Sequence, residues 1–279
     1  MVKIRRLKPG ATTALKAVRS ADGRICTTPR EIAQHLVSHW QQVFTHRGID
    51  DGALQDWIRE AAPSWAAQPL AASSPDQWKV RRKDVAWAVQ TARATSPGPD
   101  GLVAPLWKRL GGLAVTVLYD AAVSLVAEGA GEALKAAYAD ELAETGEHPF
   151  NLGILCCIPK KPALVHAEHG EVFDPEGTRP LCIVDVSNRI VAAAYKRRWE
   201  SALGAWVSLE QRGFIPGRSM IKNVVEIEQM AMEVALNTER GLILLLDFKA
   251  AFPSVSHAYM KKCMEGYGLP QAEGDGLGL

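Results

Sequence analysis

The spacing of apolar residues changes near residue 150 and divides the chain into two parts. Before that point apolar side chains recur every three to four residues, as at Ile32, Leu36 and Trp40, which predicts helices that each bury one face. The predicted helices cover residues 30–44, 83–93, 102–110 and 112–128. Beyond residue 150, short apolar runs predict two strands, 152–158 and 179–186, that pair as a hairpin around a polar loop.

The remaining pattern alternates between helices and turns. An apolar run at 242–246 predicts a buried strand. Glycine and proline cluster at 95–101 and 212–219, which indicates turns, and residues 61–77 are rich in Pro, Ala and Ser, which we interpret as a linker. Further helices, the last two of them preceded by a serine that can act as N-cap, are predicted at 188–207, 220–237 and 257–267.

Composition describes a globular chain whose charge is unevenly spread. Of its 279 residues, 47% are hydrophobic and 23% charged, and the formal net charge of +1 excludes a molecule that is strongly basic throughout. Residues 1–30, however, carry eight Lys or Arg and a single Asp. Two interpretations of this basic arm stay open: it is attracted to polyanions, or it is a solvated, disordered tail.

The cysteines and histidines predict no metal module. Five cysteines without CxxC spacing indicate free thiols in a reducing compartment. His35 and His39 are four residues apart but lack the Glu of a metalloprotease helix, and His166 and His169 lie in a polar loop. We interpret all four as surface or packed side chains.

No targeting or membrane segment stands out. The basic start is followed by no apolar stretch, and the longest apolar tract, 112–128, is interrupted by Asp120. We therefore expect a protein of the nucleus or cytoplasm that is neither secreted nor inserted in a membrane.

Three places combine charge with strong local order. Asp247 ends the predicted strand of the apolar run, where a carboxylate suits Mg²⁺, although an aspartate that caps the next turn explains it as well. Lys160 and Lys161 lie at one end of the predicted hairpin and Arg179 begins its second strand, which gives either an anion clamp or a solvated end. Arg218 precedes a predicted helix, which gives a phosphate site or a plain capped turn.

The order of six sequence blocks gives these signals one interpretation. The blocks are "TSPGPDGL", "ILCCIPKKP", "TRPLCIVDVSNRI", "EQRGFIPGRSMIKNV", "LILLLDFKAAFPSVSH" and "YGLP". Over about residues 80–270 the chain resembles the fingers and early palm of a reverse transcriptase of the non-LTR (LINE-like) retrotransposon type. The resemblance implies an α+β fold, with a helix-rich N-terminal part followed by the fingers and a partial palm of a right-hand polymerase.

This resemblance also implies a domain organisation. Residues 1–75 would hold the basic arm, a helical spacer and the linker. Residues 76–270 would form the fingers and partial palm, and residues 271–279 a disordered tail.

The resemblance assigns roles to individual residues. Asp247 matches the first catalytic aspartate, a ligand of both metal ions. Phe252 matches the position beneath the nucleotide sugar, where an aromatic ring favours deoxynucleotides, and Ala251 and Phe248 belong to the same nucleotide-binding block. Two further pairs are assigned by their blocks: Lys160 and Arg179 grip the incoming triphosphate, and Arg218 and Lys161 contact nucleic acid.

The implied reaction is template-directed dNTP addition by two-metal phosphoryl transfer, with an RNA template, a DNA primer and two Mg²⁺ ions. The later hairpin with adjacent aspartates is not found among the 279 residues, so we expect a fragment with no turnover of its own. Three alternatives stay open: a non-catalytic nucleic-acid-binding remnant, a degenerate product without function, and a split enzyme completed by a second chain that carries the rest of the palm and the thumb.

Overall fold

The expected α+β class is confirmed in a computed structural model, which mixes helices with small antiparallel sheets. It describes residues 15–45, 50–67, 75–145, 150–237, 240–248, 250–267 and 269. The chain forms two compact units. Unit 1 consists of residues 1–47, 95–103 and 151–186, and unit 2 consists of residues 48–94, 104–150 and 187–279.

The described elements are short strands and mostly short helices. The strands are β1 (Val18–Arg19), β2 (Ile25–Cys26), β3 (Gly153–Pro159), β4 (Leu164–His166), β5 (Gly170–Val172) and β6 (Thr178–Val184). The helices are α1 (Pro29–Phe44), α2 (Asp51–Ala67), α3 (Arg82–Thr91), α4 (Ala104–Leu110), α5 (Gly112–Ser124), α6 (Ala130–Ala137), α7 (Ala139–Thr145), α8 (Val186–Trp206), α9 (Met220–Asn237), α10 (Ala251–Ser254) and α11 (His257–Gly266). Short 3₁₀ turns lie at Pro75–Gln77 and Pro175–Gly177.

Unit 1 is organised around the antiparallel pair β3–β6. Its register runs from Gly153 opposite Val184 to Pro159 opposite Thr178, so the predicted hairpin is confirmed. The polar loop between these strands is itself structured, because β4 and β5 pair within it.

Helix α1 covers the core of unit 1 as its sequence period predicts. Ile32, Leu36 and Trp40 are buried, and Ile32 and Leu36 pack with Val18 of β1. The Trp40 indole N–H donates to the buried Thr178 hydroxyl at 3.2 Å, which satisfies its one polar atom. The helix begins after its N-cap Thr28, whose hydroxyl accepts from the Glu31 backbone N–H and donates to the Glu31 carboxylate.

The glycine-rich turn at 95–101 lies against the end of β6. The Asp100 backbone N–H donates to the Asp185 carboxylate at 3.1 Å. A Cβ on Gly98 would lie 2.3 Å from Asp185 Oδ1 and 2.5 Å from Asp185 Cα, so no side chain fits there. This turn is therefore a packing element of unit 1.

Unit 2 is built from helices. Helix α3 packs on α5 with Val85 and Val89 buried, and α2 packs on α11 through the rings of Trp57 and Tyr259, 5.0 Å apart. The Tyr195 hydroxyl of α8 donates to the Ala122 carbonyl of α5 at 2.7 Å. Within the described residues no helix has both the length and the apolarity needed to cross a membrane.

Two sequence predictions need correction, and one of the two open interpretations of the basic arm is removed for its described part. Residues 18–26 form the β1–β2 hairpin with Val18 fully buried, and residues 29–30 begin α1, so residues 18–30 are not a solvated tail. Residues 61–67 of the predicted linker belong to α2. The predicted strand at 242–246 is not a strand and is not buried, with Leu242 89% exposed and Leu246 84% exposed. Residues 1–14 and 271–279 lie outside the described residues.

Candidate functional site

The predicted anion clamp lies at one end of the β3–β6 pair. The Lys160 and Lys161 backbone N–H groups both donate to the Gly177 carbonyl, at 3.0 and 3.2 Å, so the regular ladder ends with the pair Pro159–Thr178. Arg179 lies opposite Ile158. Arg179 is therefore one residue pair inside this end of the ladder, and Lys160 directly follows the end.

The clamp cations are available to a ligand. Lys160, Lys161 and Arg179 are exposed, and among the described residues none of their side chains forms a hydrogen bond or ion pair. An exposed guanidinium beside an exposed ammonium suits a phosphate group, since Arg binds it in a bidentate manner and Lys adds a point charge.

The acidic loop between the two strands is partly neutralised. The Arg19 guanidinium of β1 binds the Asp174 carboxylate in a bidentate manner, with the Nε–Oδ1 and Nη2–Oδ2 distances both 2.8 Å. This hydrogen-bonded pair raises the pKa of Arg19 above its ordinary value. Asp174 therefore has a cation of its own from β1, and the clamp cations do not have to compensate it.

The Arg218 guanidinium is bonded to the protein itself and is not a free side chain like those of the predicted clamp. Its guanidinium donates to the carbonyls at the C-terminal end of α8, namely Gly204, Val207, Ser208 and the nearby Gln211. The last carbonyls of a helix have no partner within the helix, and a guanidinium satisfies them while complementing the helix dipole. The structure thus gives Arg218 a helix-capping role, and its contact with nucleic acid stays a prediction.

Arg212 was missed by the sequence analysis and fixes the same turn from its other side. Its side chain, 11% exposed, donates to Asn223 Oδ1 at 2.7 Å and to Glu226 Oε1 at 2.8 Å, both on α9. This hydrogen bond lowers the pKa of the Glu226 carboxyl and raises that of Arg212. Its block, "QRGF", was part of the resemblance, but nothing in the sequence identified its partners.

Two arginines of the basic stretch 196–198 ("KRR") on α8 also have structural partners. Arg198 donates to the Asp76 and Lys79 carbonyls, and Arg197 lies 4.4 Å above the Trp87 ring and 3.6 Å from the buried Asp84 carboxylate. Burial raises the pKa of Asp84, but the hydrogen bonds and charge of Arg81 outweigh burial, so the pKa is lowered overall. The stretch is therefore largely a packing surface of unit 2.

Asp247 and the predicted nucleotide-binding block lie in unit 2, whereas the predicted clamp lies in unit 1. The block is exposed: Phe248 is 84% exposed, Phe252 is 85% exposed, and Ala251 begins the one-turn helix α10 after Ala250 at φ 51°. Among the described residues no cluster of metal-ligating side chains includes Asp247. One carboxylate does not form the two-ion magnesium site that the resemblance implies.

Comparison with known proteins supports a transposon origin. No protein-family model matches the chain. The chain is 29% identical over 138 residues to the "Transposon TX1 uncharacterized 149 kDa protein" of Xenopus laevis. The match covers 48% of this chain and 10% of that protein, so the chain spans a small part of the relative's length. This distant, partial similarity supports derivation from a LINE-like retrotransposon.

Proposed function

We propose that the chain is part of the reverse-transcriptase region of a non-LTR retrotransposon protein, and that its β3–β6 pair binds the triphosphate of an incoming dNTP. Two observations support the family assignment: the six sequence blocks in their order and the similarity to a transposon protein. The observation that carries the binding role is the placement of Lys160 and Arg179, exposed and without side-chain partners among the described residues, at the same end of the β3–β6 ladder.

The binding role follows from the chemistry of the two cations. A triphosphate presents several oxygens to a fixed guanidinium and a mobile ammonium, and hydrogen bonds to charged groups contribute about 1.5–3 kcal/mol each. The strand pair holds the Arg179 backbone in place, so little backbone ordering is needed on binding.

The binding test compares two double variants. Lys160→Ala/Arg179→Ala removes the two clamp cations assigned to the triphosphate, and Lys108→Ala/Arg109→Ala removes one exposed Lys and one exposed Arg from helix α4 as a matched control. Removing two charge-assisted contacts is expected to weaken dNTP binding by about tenfold or more, measured by isothermal titration in Mg²⁺. Equally weakened binding in the two variants would show that net charge alone attracts the nucleotide.

The expectation for catalysis is separate from that for binding. Two-metal phosphoryl transfer needs more carboxylates than the one matched here, so the purified chain is expected to bind dNTP without extending a primer. Primer extension on an RNA template with Mg²⁺ or Mn²⁺ measures this, and clear incorporation of dNTP would contradict it.

A non-catalytic nucleic-acid-binding role is the second candidate, favoured by two observations: the clamp cations are exposed, and only one carboxylate, Asp247, matches the metal site that the resemblance implies. In that case an RNA–DNA hybrid, not dNTP, is the ligand. Removal of one phosphate-binding side chain should flatten the slope of log affinity against log salt by about 0.9. The clamp variant should then flatten it by about 2, and the control variant should not.

A further inference from the structure

The tip of the β4–β5 hairpin brings together three side chains that can bind a metal ion. His166 ends β4 opposite Gly170 of β5, so Ala167, Glu168 and His169 form a three-residue turn. Gly170 has φ 71°, in the left-handed region that glycine adopts readily, and this closes the turn. The chain direction therefore reverses in a way that puts the two imidazoles side by side.

The ligand atoms of these residues are close together. One nitrogen of each histidine and one carboxylate oxygen of Glu168 all lie within 4.8 Å of one another. A tetrahedral zinc ion with bonds of about 2.0–2.2 Å requires ligand atoms about 3.4 Å apart. The ligand atoms therefore have to approach one another by little more than an ångström. Glu168 and His169 are exposed, so rotation of their side chains achieves this without moving the hairpin.

Two adjustments accompany metal binding. The imidazole rings are stacked, 4.8 Å apart and 12° from parallel, and they must tilt because the nitrogen lone pairs lie in the ring planes. His166 Nδ1 accepts a hydrogen bond from the Glu168 backbone N–H at 3.3 Å, beyond the usual range. Either this weak bond is released or the metal binds at the other ring nitrogen.

We propose that His166, Glu168 and His169 form a surface site for a divalent transition-metal ion, with zinc as its natural occupant. Two imidazoles and a carboxylate select zinc and its neighbours over magnesium and calcium, which require oxygen ligands. Water completes the coordination at this exposed position. The site is independent of the proposed nucleotide-binding function and of Asp247.

The test uses the untagged chain, stripped of metal with a chelator and kept reduced. Titration with zinc by calorimetry is expected to show one site per chain, and cobalt(II) is expected to give the visible absorption of a nitrogen–oxygen site without the intense near-ultraviolet band of thiolate ligands. His166→Gln/His169→Gln should weaken zinc binding by at least about tenfold. Glu168→Gln should weaken it less, because the imidazoles remain.

The matched control is His35→Gln/His39→Gln, which removes the i,i+4 histidine pair of α1. It should leave zinc affinity unchanged. Circular dichroism checks that each variant is folded. The proposal is overturned if the unaltered chain binds no zinc, if His166→Gln/His169→Gln binds as tightly as the unaltered chain, or if the control removes the binding instead.

Discussion

Gly98 offers the sharpest test of how the "SPGPDG" turn is used in unit 1. In Gly98→Ala the new Cβ would lie 2.3 Å from Asp185 Oδ1, 2.4 Å from Asp185 N and 2.5 Å from Asp185 Cα. Carbon atoms in contact are normally about 3.5–4.0 Å apart, so the turn or the end of β6 must move by about an ångström. Two of the three obstructing atoms belong to the backbone, which cannot rotate out of the way.

The magnitude follows from two contributions. Overpacking against a rigid neighbour costs about 1–3 kcal/mol. Displacing the turn also lengthens the 3.1 Å hydrogen bond from Asp100 to Asp185, which contributes about 1 kcal/mol at an exposed position. We expect Gly98→Ala to lower the free energy of unfolding of unit 1 by about 2–4 kcal/mol.

The assay is hydrogen exchange of the β3 and β6 peptides, which reports on unit 1 without assuming that the whole chain unfolds in one step. Gly112→Ala is the matched control, because a Cβ there meets nothing within 4 Å at the start of α5. The steric argument is refuted if protection of β3 and β6 is as high in Gly98→Ala as in the control.

Three further predictions concern other contacts. Asp84→Ala removes a cap acceptor of α3 and the partner of Arg81, and should cost about 1–2 kcal/mol in urea unfolding at neutral pH. The pKa of Asp84 is lowered in the folded chain, so its contribution to the free energy of unfolding is present above pH about 4 and is lost as the pH falls through the folded pKa. A difference in stability between Asp84→Ala and the unaltered chain that persists in acid would contradict this. Arg218→Ala should lower the free energy of local opening at the end of α8 by about 1–3 kcal/mol, seen as faster hydrogen exchange there. If Arg218 only contacted nucleic acid, exchange would be unchanged. Leu244→Lys should change stability by less than about 0.5 kcal/mol, since this side chain is 71% exposed; a large decrease would indicate a buried strand.

The helices and the strand pair follow from local patterns. Ile32, Leu36 and Trp40 stand at helical spacing, and the structure buries these same side chains on α1. The two apolar runs flanking the polar loop pair as β3 and β6. In an extended apolar run the backbone N–H and C=O groups find their hydrogen-bond partners on a neighbouring strand. Here local sequence and the neighbour in the fold agree.

The apolar run at 242–246 shows where this reasoning fails. Its composition suits a buried strand, but a strand forms only where another strand accepts and donates its backbone hydrogen bonds, and none of the described strands lies beside it. Pattern alone cannot supply that neighbour.

The hydrogen-bond and ion-pair partners of the arginines could not be predicted from the local sequence either. Arg218 and Arg212 are engaged by carbonyls and a carboxylate across the turn between α8 and α9, and Arg197 is engaged by Asp84 of α3, which is distant in the sequence. The histidine cluster had a usable signal, because a glycine directly after His169 is typical of a tight hairpin turn. Treating the segment as an undivided polar loop concealed it.

Photocrosslinking tests the central claim most directly, with a photoreactive dNTP analogue added to the purified chain in Mg²⁺ and the modified peptides identified by mass spectrometry. The account predicts modification of peptides between residues 153 and 184, which contain β3 and β6. Unmodified dNTP should suppress it, and the corresponding nucleoside, which lacks phosphates, should not. Modification confined to other peptides, or suppressed equally by the nucleoside, would contradict the account.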